Sequence, residues 1–126
     1  MRMQESAEMY LETILVLSDG NNEPRAVDIA RQLGFSRPSV SNALKELERD
    51  GYITYKDSRF VELTEKGAQI AAKVYERHLV LTDLLQSIGV SEKTAREDAC
   101  RVEHYISDET FDAIKAHMLR YSDKMG

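Results

Sequence analysis

Hydrophobic residues recur at helical spacing over most of the chain, while one short region near its middle has the composition of β-strands. From Ser6 to Leu17 the apolar residues stand three or four positions apart, and the polar run 19–22 interrupts them, which predicts a first helix. Residues 26–33 form a second short amphipathic segment. Gly34 follows it directly, and because glycine readily adopts the left-handed conformation that ends many helices, the second helix is predicted to end there.

A third helix and a hairpin are predicted next. Ser36 has the side chain of an N-cap and Pro38 fits the first helical turn, so a helix is predicted from there to Asp50. The aromatic and β-branched runs 52–55 and 60–63 are separated by polar residues and predict a hairpin. This order of elements is that of the winged helix-turn-helix, whose second helix enters the major groove of DNA.

Further helices are predicted in the second half of the chain. A long one runs from Thr64 to Ile88, another from Ser91 to about Ile106, and a last one from Glu109 to Met118. We therefore predict a mainly α fold in which an N-terminal winged helix-turn-helix DNA-binding domain, residues 1–70, is followed by an α-helical domain, residues 71–126.

The start of the third helix carries short, polar or basic side chains that can reach phosphates and base edges. Asn42 can pair its amide with adenine, and Pro38 offers an apolar face to a thymine methyl group. Val40, Leu44 and Leu47 stand on the other face and are predicted to pack inward. The predicted DNA-binding residues are Arg25, Ser36, Arg37, Pro38, Ser39, Ser41, Asn42, Lys45, Lys56 and Arg59. Ordinary helix capping and solvation explain any one of them equally well, so the prediction rests on the whole succession of elements.

The net charge of the chain does not favour DNA binding, but the distribution of its charges does. Its 126 residues carry a formal net charge of -5, which is unfavourable for contact with phosphates. From Arg25 to Lys45, however, four basic residues stand against one acidic residue, a local balance of +3. The acidic remainder is expected to disfavour indiscriminate DNA binding until a bound cation offsets it.

Three candidate metal ligands stand close together late in the chain. Cys100, Glu103 and His104 fall at i, i+3 and i+4 of one predicted helix, which places a thiolate, a carboxylate and an imidazole on a single face. Further candidate donors on other helices are Met9, Glu12 and His78. If these helices converge, a transition-metal site forms between the DNA-binding part and the C-terminal part.

Each of these donors also has an ordinary structural explanation. A methionine in an amphipathic helix is usually part of the core, a lone cysteine is usually a small buried hydrophobe, and a glutamate on a helix face is usually solvated. From the residues alone, the cluster around Cys100 fits a metal site and a polar surface stripe equally well. His117 has no such neighbours and is predicted to lie on the surface.

Taken together, these segments resemble the iron- and manganese-dependent repressors of the diphtheria toxin repressor type, which include the manganese transport regulator. The resemblance spans nearly the whole chain and is carried by residues Glu8–Glu12, Ser36–Ser41, Leu47–Tyr52, Leu63–Gly67, Arg77–His78 and Asp98–His104. It implies a homodimer that binds palindromic operator DNA, in which the C-terminal helices form the dimer interface and a metal site links the first helix to them. It also implies repression of genes for metal uptake and homeostasis.

The resemblance assigns roles to the candidate ligands. Met9, Cys100, Glu103 and His104 match the primary activating site of the iron-responsive branch, whereas the manganese branch has carboxylates at the first two positions. Sulfur donors favour Fe(II), so Fe(II) is the expected ion and Mn(II) the next, with Co(II), Ni(II) or Zn(II) able to bind in vitro. Glu12 and His78 match second-site ligands of the manganese branch. The chain departs from the iron branch at Thr82 and Arg96, which replace ancillary ligands, and it is expected to lack the extra C-terminal domain of that branch.

Other classes of function remain to be compared. One alternative is a winged-helix regulator that responds to a small organic ligand or to oxidation of Cys100. A small metal-dependent hydrolase is disfavoured, because the chain has neither a nucleophile elbow nor a phosphate-binding glycine loop. No apolar stretch is long enough to span a membrane and no secretion signal is present, so a cytoplasmic location is expected, with no membrane partner and no small-molecule substrate.

Overall fold

The computed structural model describes residues 5–125, with side chains described for residues 6–120. Its elements, in chain order, are α1 (Glu5–Leu17), α2 (Ala26–Leu33), α3 (Arg37–Arg49), β1 (Ile53–Lys56), β2 (Phe60–Leu63), α4 (Glu65–Ser87), α5 (Glu92–Val102) and α6 (Asp108–Met125). The residues form two compact units that divide within α4, between Lys73 and Val74. The predicted mainly α fold with an N-terminal winged helix-turn-helix is confirmed. Within the described residues, no helix is long and apolar enough to cross a membrane.

The core of the first unit is built from one face of each helix and from the wing. Val40 and Leu44 of α3 are fully buried and Leu47 is 5% exposed, so the predicted inward face of this helix is confirmed. They pack in one cluster with fully or almost fully buried residues of the neighbouring elements, namely Leu11, Ile14, Ile29, Ile53, Val61 and Ala71. Burial of such side chains holds α3 in place while its other face stays exposed to solvent.

Local signals fix the turn between α2 and α3. Gly34 has φ +72°, and its N–H donates to the carbonyl oxygen of Ala30 at 2.9 Å, which closes α2 as predicted. Ser36 caps α3, because its Oγ accepts a hydrogen bond from the N–H of Ser39 at 3.3 Å. Both predicted caps are confirmed, and they set the direction in which α3 leaves the turn.

Strands β1 and β2 form the antiparallel wing. Ile53 pairs with Leu63 and Lys56 with Phe60, and the N–H of Arg59 donates to the Lys56 carbonyl at 3.1 Å to close the tip. Asp57 and Ser58 occupy the tip at φ +53° and +58°, in the left-handed region that non-glycine residues adopt at a cost.

The base of the wing is joined to the start of α4. The N–H of Thr64 donates to the Tyr52 carbonyl at 3.0 Å, and its Oγ1 donates to the Gly51 carbonyl at 2.7 Å. Oγ1 of Thr64 also accepts from the N–H of Gly67 at 3.1 Å, so a single threonine binds both the wing and the first turn of α4. Lys66 Nζ lies 4.2 Å from the centroid of the Tyr52 ring.

The second unit differs from the sequence prediction at two helix ends. Helix α5 ends at Val102 rather than near Ile106, because the chain tightens there: the N–H groups of both Tyr105 and Ile106 donate to the Val102 carbonyl. Helix α6 extends to Met125, well beyond the predicted end at Met118, since neither glycine nor proline interrupts that stretch. The side chain of Ser107 caps α6 by accepting from the N–H of Thr110 at 3.1 Å.

Candidate metal centre and nucleic-acid interface

The outer face of α3 is a polar and basic surface. Its exposed residues include six of the ten residues predicted from the sequence to bind DNA, namely Arg37, Pro38, Ser39, Ser41, Asn42 and Lys45, and, towards its end, Glu46, Glu48 and Arg49. Ser36, Arg25, Lys56 and Arg59 are exposed as well. Apart from Arg37, the side chains near the helix start, those of Ser36, Pro38 and Ser39, are small, so the α3 backbone can approach a groove closely.

Three arginines surround a shallow groove beside α3. The groove is lined by Arg25, Ala26, Val27, Arg37, Ser41 and Arg59, which come from the start of α2, the start of α3 and the wing tip. The isolated bridge between Arg25 and Phe60 holds the entry to α2 against the wing. Guanidinium groups around an apolar floor are suited to a phosphate on the rim and a sugar or a methyl group within.

Lys56 already has an anionic partner, as does Arg25, whose Nε lies 3.9 Å from a carboxylate oxygen of Asp28. The Nζ of Lys56 donates to a carboxylate oxygen of Glu23 at 2.5 Å, and both side chains are largely exposed. The hydrogen bond with Glu23 raises the pKa of the Lys56 ammonium above its usual value. A phosphate would have to compete with this carboxylate for Lys56, whereas Arg37 and Lys45 have no such ion pair among the described residues.

The two candidate donors of the first unit lie on successive turns of α1. Met9 and Glu12 are both half-buried and are separated by three positions, so they share a face of the helix. The carbonyl oxygen of Met9 accepts a hydrogen bond from Thr13 Oγ1 at 2.8 Å. The first unit therefore offers a thioether and a carboxylate together.

The second unit brings together a carboxylate and two imidazoles. The side chain of Glu103 is fully buried, and its Oε2 lies 3.0 Å from Nδ1 of His78 on α4. Its other oxygen, Oε1, lies 3.5 Å from Nε2 of His104. Cys100 is half-buried on the preceding turn of α5. Glu103 and His104 follow the end of α5 instead of lying within it, so the prediction that both belong to one continuous helix with Cys100 is wrong.

This cluster has the chemistry of a cation site. A fully buried carboxylate is costly unless it is paired, and within the described residues Oε1 of Glu103 accepts no hydrogen bond. The imidazole nitrogens of His78 and His104 flank it, and nitrogen and oxygen donors together suit divalent first-row transition metals. These residues fit a metal ion, which would supply the missing positive charge beside the buried oxygen.

The sequence prediction missed one buried residue beside this cluster. Arg77 is 8% exposed and precedes His78 on α4. In the sequence it stands out only as part of the segment Arg77–His78, which contributes to the family resemblance. Its spacing was a usable signal, because Val74, Arg77 and Leu81 stand at i, i+3 and i+7, and the two aliphatic residues are buried. A cation on an otherwise apolar helix face indicates a specific partner.

A winged helix-turn-helix with a basic outer face, followed by a helical unit with a buried carboxylate between imidazoles, defines a DNA-binding regulator with a candidate metal-binding domain. The N-terminal DNA binding domain of iron dependent repressors matches residues 2–61. The metal binding and dimerisation domain of the same repressors matches residues 64–123. The chain belongs to the iron-dependent repressor family, whose members are metal-dependent transcriptional regulators and not enzymes.

Individual relatives agree with this assignment. An uncharacterised HTH-type transcriptional regulator of Methanocaldococcus jannaschii is 37% identical over 125 residues, which cover 98% of this chain and 100% of the relative. The transcriptional regulator MntR of Salmonella typhimurium is 41% identical over 107 residues, covering 85% of this chain and 68% of the relative. The solved structure of the manganese regulator SloR matches with a TM-score of 0.79 and 26% identity over 92% of this chain. The chain spans 54% of that structure.

The family assignment also separates the alternatives. It supports a metal-dependent repressor that binds operator DNA and dimerises, and it does not fit a regulator of the small-ligand or cysteine-oxidation type. Metal dependence is shared across the family, while manganese regulators are prominent among the relatives.

Proposed function

We propose that this chain is a homodimeric, metal-activated repressor of metal uptake and homeostasis genes that binds a palindromic operator in the cytoplasm. The observation that carries the proposal is the buried Glu103 carboxylate between His78 and His104, within residues that match a metal-binding and dimerisation domain. A cation at this carboxylate would stabilise the ordered form of the second unit. The DNA-binding domain would comprise residues 1–70 and the metal-binding and dimerisation domain residues 71–126, with no small-molecule substrate.

The proposed ligands of the activating ion are Met9, Cys100, Glu103 and His104, with Glu12 and His78 available to a second ion. Thioether and thiolate sulfur favour Fe(II) over Mn(II), which prefers oxygen, so Fe(II) is our first assignment and Mn(II) the second. Co(II), Ni(II) and Zn(II) should bind the same donors in vitro. Mn(II) remains the direct competitor, because solved structures similar to this chain are described as a manganese-dependent repressor and a manganese regulator.

The proposed mechanism is thermodynamic linkage between metal and DNA. Met9 belongs to the DNA-binding part of the sequence and the other three donors to the C-terminal part, so one shared ion would couple the two. The bound ion would favour the dimer whose two α3 helices fit successive major grooves, about 34 Å apart. Linkage is reciprocal, so operator DNA should tighten metal binding by the factor by which metal tightens DNA binding.

The test is an anaerobic titration of DNA binding with Fe(II), Mn(II), Co(II) and Zn(II). The probe is a duplex selected from a random-sequence library by the Co(II)-loaded protein, and affinity is measured by fluorescence anisotropy. The double variant Met9→Asp, Cys100→Glu replaces sulfur donors with carboxylates and should shift the preference towards Mn(II). His117→Gln, at an exposed imidazole, is the control and should leave the ranking unchanged.

Two results would contradict the proposal. DNA binding that persists after thorough chelation would contradict metal activation itself. An unchanged ranking of the metals in the double variant would instead contradict the assignment of sulfur donors and of Fe(II).

A further inference from the structure

Arg77 on α4 is a buried cation that binds the backbone at the end of α5. Its Nη1 donates to the carbonyl oxygens of Glu103, at 3.3 Å, and Ile106, at 2.8 Å. Its Nη2 donates to the carboxylate of Asp108, in the first turn of α6. One guanidinium thus binds both ends of the turn formed by residues 103–106 and the helix that follows it.

Arginine is suited to this place for two physical reasons. The last carbonyl groups of a helix have no partner within the helix, and a planar guanidinium with five N–H donors can satisfy several of them at once. The Phe111 ring also lies under the group, with its centroid 5.3 Å from the Arg77 carbon Cζ, which favours one orientation of the plane. The short ammonium of a lysine has neither the reach nor the flat geometry to make the same set of contacts.

We propose that Arg77 is a positioning residue for the candidate metal site. It orders the 103–106 turn before metal binds, so that the carboxylate of Glu103 and the imidazole of His104 are already in place. Its neighbour His78 contacts the carboxylate of Glu103 while Arg77 binds the backbone carbonyl of the same residue, so α4 holds Glu103 at two points. This inference rests on the proposed function, because it concerns the same candidate ligands.

The experiment compares wild type with Arg77→Gln, Arg77→Lys and Asp108→Asn. Arg101→Gln is the matched control. This variant also loses one positive charge, but Arg101 pairs with Asp98 on the exposed side of α5. Co(II) affinity is measured anaerobically by calorimetry, together with the visible absorption spectrum of bound Co(II). Amide hydrogen exchange of the metal-free proteins is measured across the 103–106 turn.

Arg77→Gln should weaken Co(II) binding by about 10- to 100-fold, the usual effect of removing a group that orients metal ligands. The amides of Tyr105 and Ile106, which donate to the Val102 carbonyl, should exchange faster in the same variant. The Co(II) spectrum should change as the ligand geometry loosens. Arg77→Lys should recover only part of the affinity, and the control should behave as wild type.

Several outcomes would overturn the inference. A folded Arg77→Gln protein with wild-type Co(II) affinity and spectrum would show that Arg77 serves stability alone, even if the protein unfolds more easily. If Arg77→Gln does not fold, the same measurements are made on Asp108→Asn, because the exposed Asp108 side chain can be changed without opening a cavity. Wild-type Co(II) affinity and spectrum in that variant would overturn the inference. If wild type binds no Co(II), the proposed function fails, and unchanged amide exchange in the variants would separately refute the ordering of the turn by Arg77.

Discussion

Replacement of Gly67 by alanine tests the junction between the wing and α4. A Cβ atom at this position would lie 2.1 Å from the carbonyl oxygen of Tyr52 and 3.0 Å from its carbonyl carbon. That oxygen already accepts the hydrogen bond from the N–H of Thr64. The obstacle is therefore backbone and cannot swing aside as the end of a flexible side chain would.

Two effects of opposite sign determine the result. Alanine is favoured over glycine inside a helix by about 0.8–1 kcal/mol. Against this, the contact must open by about 1.3 Å, the difference between 2.1 Å and the 3.4 Å at which ordinary contact begins. Forcing a carbon into a packed site costs about 1–3 kcal/mol, and loss of the Thr64 hydrogen bond adds about 1 kcal/mol. We expect Gly67→Ala to lower the free energy of unfolding by about 1–3 kcal/mol.

Urea unfolding followed by circular dichroism measures this change. Gln69→Ala, at an exposed position of the same helix, is the control for helix propensity and should have little effect. Gly20→Ala is the control for backbone strain, because Gly20 has φ +69° and open space around the missing Cβ. A Gly67→Ala protein more stable than wild type would refute the close approach and leave helix propensity as the dominant effect.

Three further predictions concern the first unit. Ser58→Gly should stabilise the wing by about 1 kcal/mol, because glycine adopts the φ of +58° at this position without strain; an unchanged urea midpoint would argue against strain at the tip. Leu44→Ala should cost about 2–5 kcal/mol by leaving a cavity in the core, whereas exposed Lys45→Ala should cost less than about 0.5 kcal/mol, and equal losses in thermal unfolding would contradict the assigned core. Burial, followed by the charge of Glu48, raises the pKa of Tyr55, so the unfolded chain ionises first and stability should fall as pH rises above about 10. Tyr55→Phe should show a weaker fall in urea unfolding between pH 9 and 11, and the same slope as wild type would contradict it.

The sequence predicted the elements whose signals are local. The Ser36 cap, the Gly34 terminus and the apolar spacing of Val40 and Leu44 each lie within one turn of the feature they determine, and all are as predicted. The early end of α5 was not predicted, and the side chain that binds the Glu103 carbonyl there, that of Arg77, lies 26 residues earlier in the chain. Helical spacing likewise placed Glu103 beside Cys100 on one helix face. The buried contact of Glu103 with His78 joins two different helical segments, so spacing could not predict it.

Candidate ligands that lie within one helical segment can therefore be predicted from the sequence more readily than contacts between distant segments. A pattern such as Cys100, Glu103 and His104 is visible because helical periodicity brings near neighbours together. A contact between distant segments leaves no periodic pattern in the sequence. For the contacts of Glu103, the signal in the sequence is Arg77, a cation on an otherwise apolar face of α4.

The residues that fold α3 differ from the residues that it exposes to solvent. This difference affects how the DNA sequence preference of such regulators can diverge. Capping by Ser36 and packing by Val40 and Leu44 fold the helix without help from Ser41 or Asn42, whose side chains face solvent. Substitutions at those outward positions can thus alter which bases are preferred while leaving the free energy of folding nearly constant. Related repressors can in this way acquire new target sites by single steps, none of which passes through an unstable intermediate protein.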